Sequence, residues 1–145
     1  MIIRQAITKD LPVLLEAVEA FMEYYPATIN FDAEHISTLL TELIASQVVL
    51  VAYSGEVFLG TIIGVVAPHP YDPTSKIGTE LCWWIVPEHR NTTAAIKLLK
   101  KFEQVMIQEG ATQIAMTTTI HTPTLPRVFK KLGYSEAETS FIKEV

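Results

Sequence analysis

Apolar and polar positions change their spacing several times along this chain, and each change marks an element. Ile2 and Ile3 open a short strand over residues 2–6. From Asp10 onward Leu11, Leu14, Leu15, Val18 and Met22 recur at helical spacing, with Thr8 as the expected cap and Pro12 in the first turn, where a missing N–H costs little. That helix stops in a Tyr24-Tyr25-Pro26 loop. Asp32 caps a second helix with Ile36, Leu39, Leu40, Leu43 and Ile44 as its apolar positions. Residues 48–53 and 57–67 read as two strands joined around Ser54-Gly55. The second is apolar almost throughout, as in a central strand covered on both faces, and Gly60 and Gly64 mark a bend, a bulge or a close backbone approach. A loop rich in turn residues is expected over 68–75, then a strand over 77–86 and a helix over 93–108. That helix turns Ala95, Leu98, Leu99, Phe102, Val105 and Met106 inward, and Gly110 closes it. A strand over 114–119, a short helix over 123–132 ended by Gly133, and two strands within 134–145 complete the chain. The order β-α-α-β-β-β-α-β-α-β-β predicts a single α/β domain over residues 1–145, a mixed central sheet flanked by helices.

Composition narrows the class. With 49% hydrophobic and 19% charged residues the chain is globular, and no apolar run has the ~20 residues of a spanning helix. The first residues lack the basic-then-apolar pattern of a secretory signal, so a cytoplasmic location is expected. Cys82 is the only cysteine and sits between Leu81 and Trp83, which reads as an inert strand thiol in a reducing compartment. A net charge of −5 argues against general nucleic-acid binding. Lys97, Lys100, Lys101, Lys130 and Lys131 cluster, and read first as solvated helix faces. No spacing of His, Cys and carboxylates suggests a metal site, and His35 reads as a helix-face residue without a role.

The chemistry concentrates where the strand over 77–86 gives way to a helix. Pro87 stops the strand, Arg90 lies in the turn, and Asn91 or Thr92 can cap the helix. A helix start presents unpaired amides and a partial positive charge, a site for an anion such as a pyrophosphate. Pro87-Glu88-His89-Arg90, with Ala95 as the last small residue, resembles the pyrophosphate loop of the GNAT superfamily of N-acetyltransferases, Arg/Gln-x-x-Gly-x-Gly/Ala. Lys131-Leu132-Gly133-Tyr134 resembles that family's Lys-Leu-Gly-aromatic signature. The element order matches over essentially the whole chain. The compact size and the final residues also look similar to small phage- and prophage-encoded members.

The resemblance implies acetyl-CoA as acyl donor and direct attack by a primary amine of a small-molecule or peptide acceptor. It places the cofactor against the backbone of Trp83 and Ile85 and against Arg90, Asn91, Thr92, Thr93, Ala94 and Ala95. Glu80, a charge in an apolar strand, is the first candidate for general base, since burial raises a carboxyl pKa. His121 is the second. His69, Tyr71 and Asp72, with Tyr24 and Tyr25, are expected to border the acceptor pocket. Two departures stand out: Thr93 takes the place of the loop's first glycine, and Phe129 stands where many relatives carry a tyrosine that protonates the departing thiolate. These support a rival reading, a GNAT-fold interaction or structural protein without catalysis. Phe141 and Ile142 in an edge strand near the C-terminus predict a homodimer.

Overall fold

The computed structural model describes residues 1–145. Five strands form one sheet in chain order: β1 (Ile2–Gln5), β2 (Val48–Ser54), β3 (Val57–His69), β4 (Asp72–Ile85) and β5 (Gln113–Ala115). β1 to β4 are antiparallel neighbours, whereas β4 and β5 run parallel. Helices α1 (Leu11–Met22) and α2 (Ala33–Ser46) cover one face, packing Leu14, Leu40 and Leu43 on Val49, Val51, Ile63 and Cys82. Helices α3 (Ala94–Gln108) and α4 (Leu125–Lys131) cover the other, where Leu98, Leu99, Phe102, Met106 and Phe129 meet Leu50, Ile62 and Ile85. Alternating side chains of β2 therefore enter both layers, and Val48 to Ala52 are all buried. The expected α/β domain with a mixed sheet is the one that forms.

Local chemistry explains most boundaries. Asp32 Oδ1 accepts from His35 N at 3.0 Å and caps α2, and Gly55 at φ 60° turns the β2–β3 hairpin. Gly64 is required for contact: a Cβ there would lie 2.5 Å from Met106 Cε and 2.6 Å from Phe102 Cζ of α3. Thr8 makes no side-chain cap. Asp10 stands at the cap position but bonds no helix amide; its carboxylate instead accepts from Ile7 N and Tyr53 Oη at 2.8 Å each and takes a two-pronged bond from Arg4 at 2.8 and 3.1 Å. Leu39, expected inward, is exposed because α2 turns Leu40 and Leu43 to the sheet.

Three expected elements come out differently. The loop expected over 68–75 is mostly strand, with β3 and β4 continuing as a two-stranded ribbon to a turn at Pro70 and Tyr71. Prolines fit there because an edge residue's N–H has no ladder to serve. β5 ends at Ala115 rather than at residue 119, since Thr117 N donates to the Glu80 side chain and Thr119 turns back onto Thr122. The two strands within 134–145 are absent. Residues 135–145 carry no regular structure and are all exposed, held at Thr28 N by the Glu144 carboxylate. Glu136, Glu138 and Ser140 leave this segment without an apolar face, and the three-residue β5 offers little ladder to join.

Candidate functional site

The site lies where β4 and β5 separate. Their parallel ladder pairs Ile77, Gly78 and Thr79 with Gln113, Ile114 and Ala115, and goes no further. Just past its end, Glu80 accepts from Thr117 N at 3.2 Å through Oε2, so a side chain bridges the gap where backbone pairing stops. On the β3 side Gly64 pairs with Glu80 but Ile63 pairs with Cys82, leaving Leu81 as a bulged residue, 44% exposed. Bulges re-aim neighbouring side chains, and this one sits between the sheet's buried carboxyl and its buried thiol.

Glu80 is 6% exposed, and burial pushes its pKa up to about 7 while the Thr117 N–H pulls it down. Oε1 has no partner in the chain and is not sealed from solvent. A carboxyl held near neutrality, half-bonded and reachable, can accept a proton. Cys82 is different: burial and the Glu80 charge raise its thiol well above the ordinary value, which leaves it unreactive.

Past the bulge, β4 alternates between the two layers. Val86 N donates to Leu59 O, so by antiparallel alternation Trp84 bonds to β3 while Trp83 and Ile85 turn their backbone groups to the open edge. The Ile85 carbonyl is already taken by Arg90 Nε at 3.0 Å, which leaves its N–H. The Trp83 ring lies on the α3–α4 face, 5.9 Å from Phe129 and inclined by 29°. The Trp84 ring lies on the α1–α2 face, with the Arg90 guanidinium 4.4 Å above it and Tyr24 at 5.7 Å. Arg90 Nη1 approaches Tyr24 Oη at 3.4 Å, and Tyr24 O accepts from Thr119 Oγ1 at 3.1 Å. One tyrosine thus ties together the α1–α2 loop, the end of β4, the turn and the β5–α4 loop.

The turn after β4 is a short 3₁₀ segment, Pro87–His89, followed by Arg90 to Thr93. Thr92 Oγ1 donates to His89 O at 2.7 Å and accepts from Ala94 N at 3.2 Å. The amides of Asn91, Thr93, Ala95 and Ile96 find no acceptor in the chain. Thr93 adopts φ −76° and ψ −2°, its side chain is exposed and makes no hydrogen bond, and no residue besides glycine has positive φ. The turn forms without glycine. The site residues expected from the sequence at Glu80, Trp83, Ile85 and 90–95 come together around the gap. His121 sits in the β5–α4 loop, exposed, its N bonded to Thr119 Oγ1 and with no hydrogen bond to Glu80.

His69, Tyr71 and Asp72 do not border this site. They form the tip of the β3–β4 ribbon, and the strand from Asp72 to Glu80 separates them from it by about 25 Å. A groove of about 450 Å³ lined by Gln5, Gln47, Val66, Lys76 and Glu109 is also remote, under the end of α2. No group of His, Cys, Asp and Glu side chains is arranged to hold a metal ion. The contacts that sequence reading missed are those of Tyr24 with Arg90 and Trp84. The Leu81 bulge was also missed. Neither leaves a local sequence signal.

The profile of the Acetyltransferase (GNAT) family matches residues 14–134, and the chain belongs to that family. Among curated proteins, none matches significantly. Solved structures share the fold end to end. A GCN5-related N-acetyltransferase from Ralstonia eutropha JMP134 is 21% identical, with 99% of this chain and 97% of that one covered and a TM-score of 0.78. The aminoglycoside 6'-N-acetyltransferase AAC(6')-IG from Acinetobacter haemolyticus is 20% identical, with 100% and 99% covered and a TM-score of 0.77. A predicted acetyltransferase from Clostridium acetobutylicum, solved with acetyl-CoA, is 15% identical, with 99% and 95% covered and a TM-score of 0.79.

Proposed function

We propose that this protein transfers an acetyl group from acetyl-CoA to a primary amine of a small-molecule or peptide acceptor. The observation that carries the reading is Glu80, a buried carboxyl with a pKa of about 7, placed where two parallel strands part beside a turn with free amides. The residues fit the donor. Amides of Asn91, Thr93, Ala95 and Ile96 at the start of α3 suit a pyrophosphate, and the open backbone edge at Trp83 and Ile85 suits an amide-bearing arm. Acetyl-CoA supplies an activated acyl group as a thioester. Glu80 takes a proton from the incoming amine, and a backbone N–H of Trp83 or Ile85 polarises the acyl carbonyl. Phe129, 6% exposed and stacked on Trp83, supplies no proton to the departing sulfur. A thiol with a pKa near ~8.5 leaves with modest help.

The burial of Phe129 favours a second reading, a protein that keeps the cofactor site without turnover. Calorimetric titration with acetyl-CoA, followed by CoA-release assays on a panel of primary amines, separates the two. Binding with release supports transfer, binding without release on any amine retires the enzyme reading, and no binding retires both. The proposal includes a homodimer, resting on exposed apolar side chains instead of the expected edge strand, which does not form: Phe141 is 94% exposed and Ile142 52%, and β5 leaves one sheet edge unpaired. A monomer mass independent of concentration in sedimentation would overturn that part.

A further inference from the structure

Trp83 Nε1 is the one buried side-chain nitrogen or oxygen in this chain that has no hydrogen-bond partner. Buried polar groups are nearly always paired, because an unpaired one gives up its bond to water and gains nothing. Here the unpaired donor belongs to a β4 residue just past the end of the β4–β5 ladder, on the sheet face that α4 covers. The Trp83 backbone faces the open edge of β4, and its ring packs on Phe129 of α4. Phe129 in turn lies 5.5 Å from the Tyr134 ring, whose hydroxyl is committed to Glu103 Oε1 at 3.0 Å. Three rings therefore wall the seam between the sheet and α4. The one uncommitted polar atom they offer is the indole N–H.

We infer that Trp83 Nε1–H is a donor for the thioester-bearing arm of acetyl-CoA, a side-chain contact additional to the backbone edge of β4. The inference rests on the proposed function. The free amides of the turn follow directly on β4, so a molecule whose anionic end sits at the turn and whose arm follows the open edge passes Trp83. α4 is a seven-residue helix seated on the sheet through Leu125, Phe129 and Leu132, so entry of the arm into the seam requires α4 to shift. Indole is a donor only and does not ionise in the working range, so Trp83 gives a hydrogen bond and no proton. Phe129 has no hydroxyl to play this part. The acceptor is an oxygen or sulfur of the arm.

Two tryptophans make the test direct. In ¹⁵N-labelled protein, with Trp84→Phe used to assign the two indole signals, acetyl-CoA should move the Trp83 indole proton downfield. Adenosine 3',5'-bisphosphate, which lacks the arm, should leave it in place. Trp83→Phe keeps a ring on Phe129 and removes the donor. It should raise the acetyl-CoA Kd about tenfold, the scale of one hydrogen bond, without changing the Kd for adenosine 3',5'-bisphosphate. A Trp83 signal that stays put while acetyl-CoA binds overturns the inference, as does equal acetyl-CoA affinity in the folded variant. If Trp83→Phe does not fold, the spectrum of the unaltered protein decides. Failure of that protein to bind acetyl-CoA overturns the proposed function, and this inference with it.

Discussion

Replacing Glu80 with glutamine preserves shape and the acceptor oxygen for Thr117 N but removes a buried charge. In the folded chain the carboxyl sits at about 7 instead of the ordinary 4.5, chiefly because burial disfavours its ionised form. An acid whose folded pKa is raised holds its proton longer when folded. The native state therefore binds more protons than the unfolded one between 4.5 and about 7, and stability falls as pH rises through that window. At 1.36 kcal/mol per pH unit, the gap amounts to about 3 kcal/mol above pH 7. Urea unfolding of the two proteins side by side from about pH 4 to pH 8 cancels every other titrating group they share. The expected difference is near zero at the acid end and grows to about 3 kcal/mol in favour of Glu80→Gln at the alkaline end. A difference that does not change with pH would refute the assignment of Glu80 as a buried carboxyl with a raised pKa.

Two further outcomes follow from the geometry. Arg90→Ala removes the bond to Ile85 O and the stack on Trp84, and should weaken acetyl-CoA binding about fivefold, as measured by calorimetry; unchanged affinity would free the turn from any dependence on that side chain. Burial alone would raise the Asp10 pKa, but its bonds from Arg4, Ile7 N and Tyr53 outweigh burial and hold it below the ordinary 3.8. Its stabilisation is therefore complete above that value and lost as pH falls through the lower folded one. Asp10→Ala leaves Ile7 N and the Tyr53 hydroxyl without their acceptor and should cost about 2 kcal/mol in urea unfolding near neutrality, with the cost shrinking in acid.

Much of the frame is legible in the sequence because its signals are local. Asp32 before an apolar-periodic run, Gly55 between two strands and Gly110 after a helix act within a few residues, and each does its expected work. Glu80 is legible for a different reason: a charge in an apolar strand is costly unless something requires it. What escapes is set by distant partners. Pro68, Pro70 and Pro73 read as loop, yet β3 and β4 continue as a ribbon up to a turn at Pro70, and this carries His69 and Tyr71 away from the site. Arg90 meets Tyr24 across 66 positions of sequence, and nothing in either neighbourhood announces it. The strands expected within 134–145 do not form, because Glu136, Glu138 and Ser140 leave no apolar face, and such a segment specifies strand pairing weakly.

The central claim is that Glu80 accepts the proton in acetyl transfer, and the pH dependence of CoA release at saturating acceptor tests it most directly. With the native chain, turnover should rise with pH through an inflection near 7, the pKa of Glu80. It should then show no falling limb before the protein loses stability, because Phe129 provides no phenol to titrate. Glu80→Gln should abolish that inflection and lower turnover by about 10²–10⁴-fold while leaving acetyl-CoA binding intact. Turnover of Glu80→Gln within twofold of the native chain, on the same pH profile, would contradict the account.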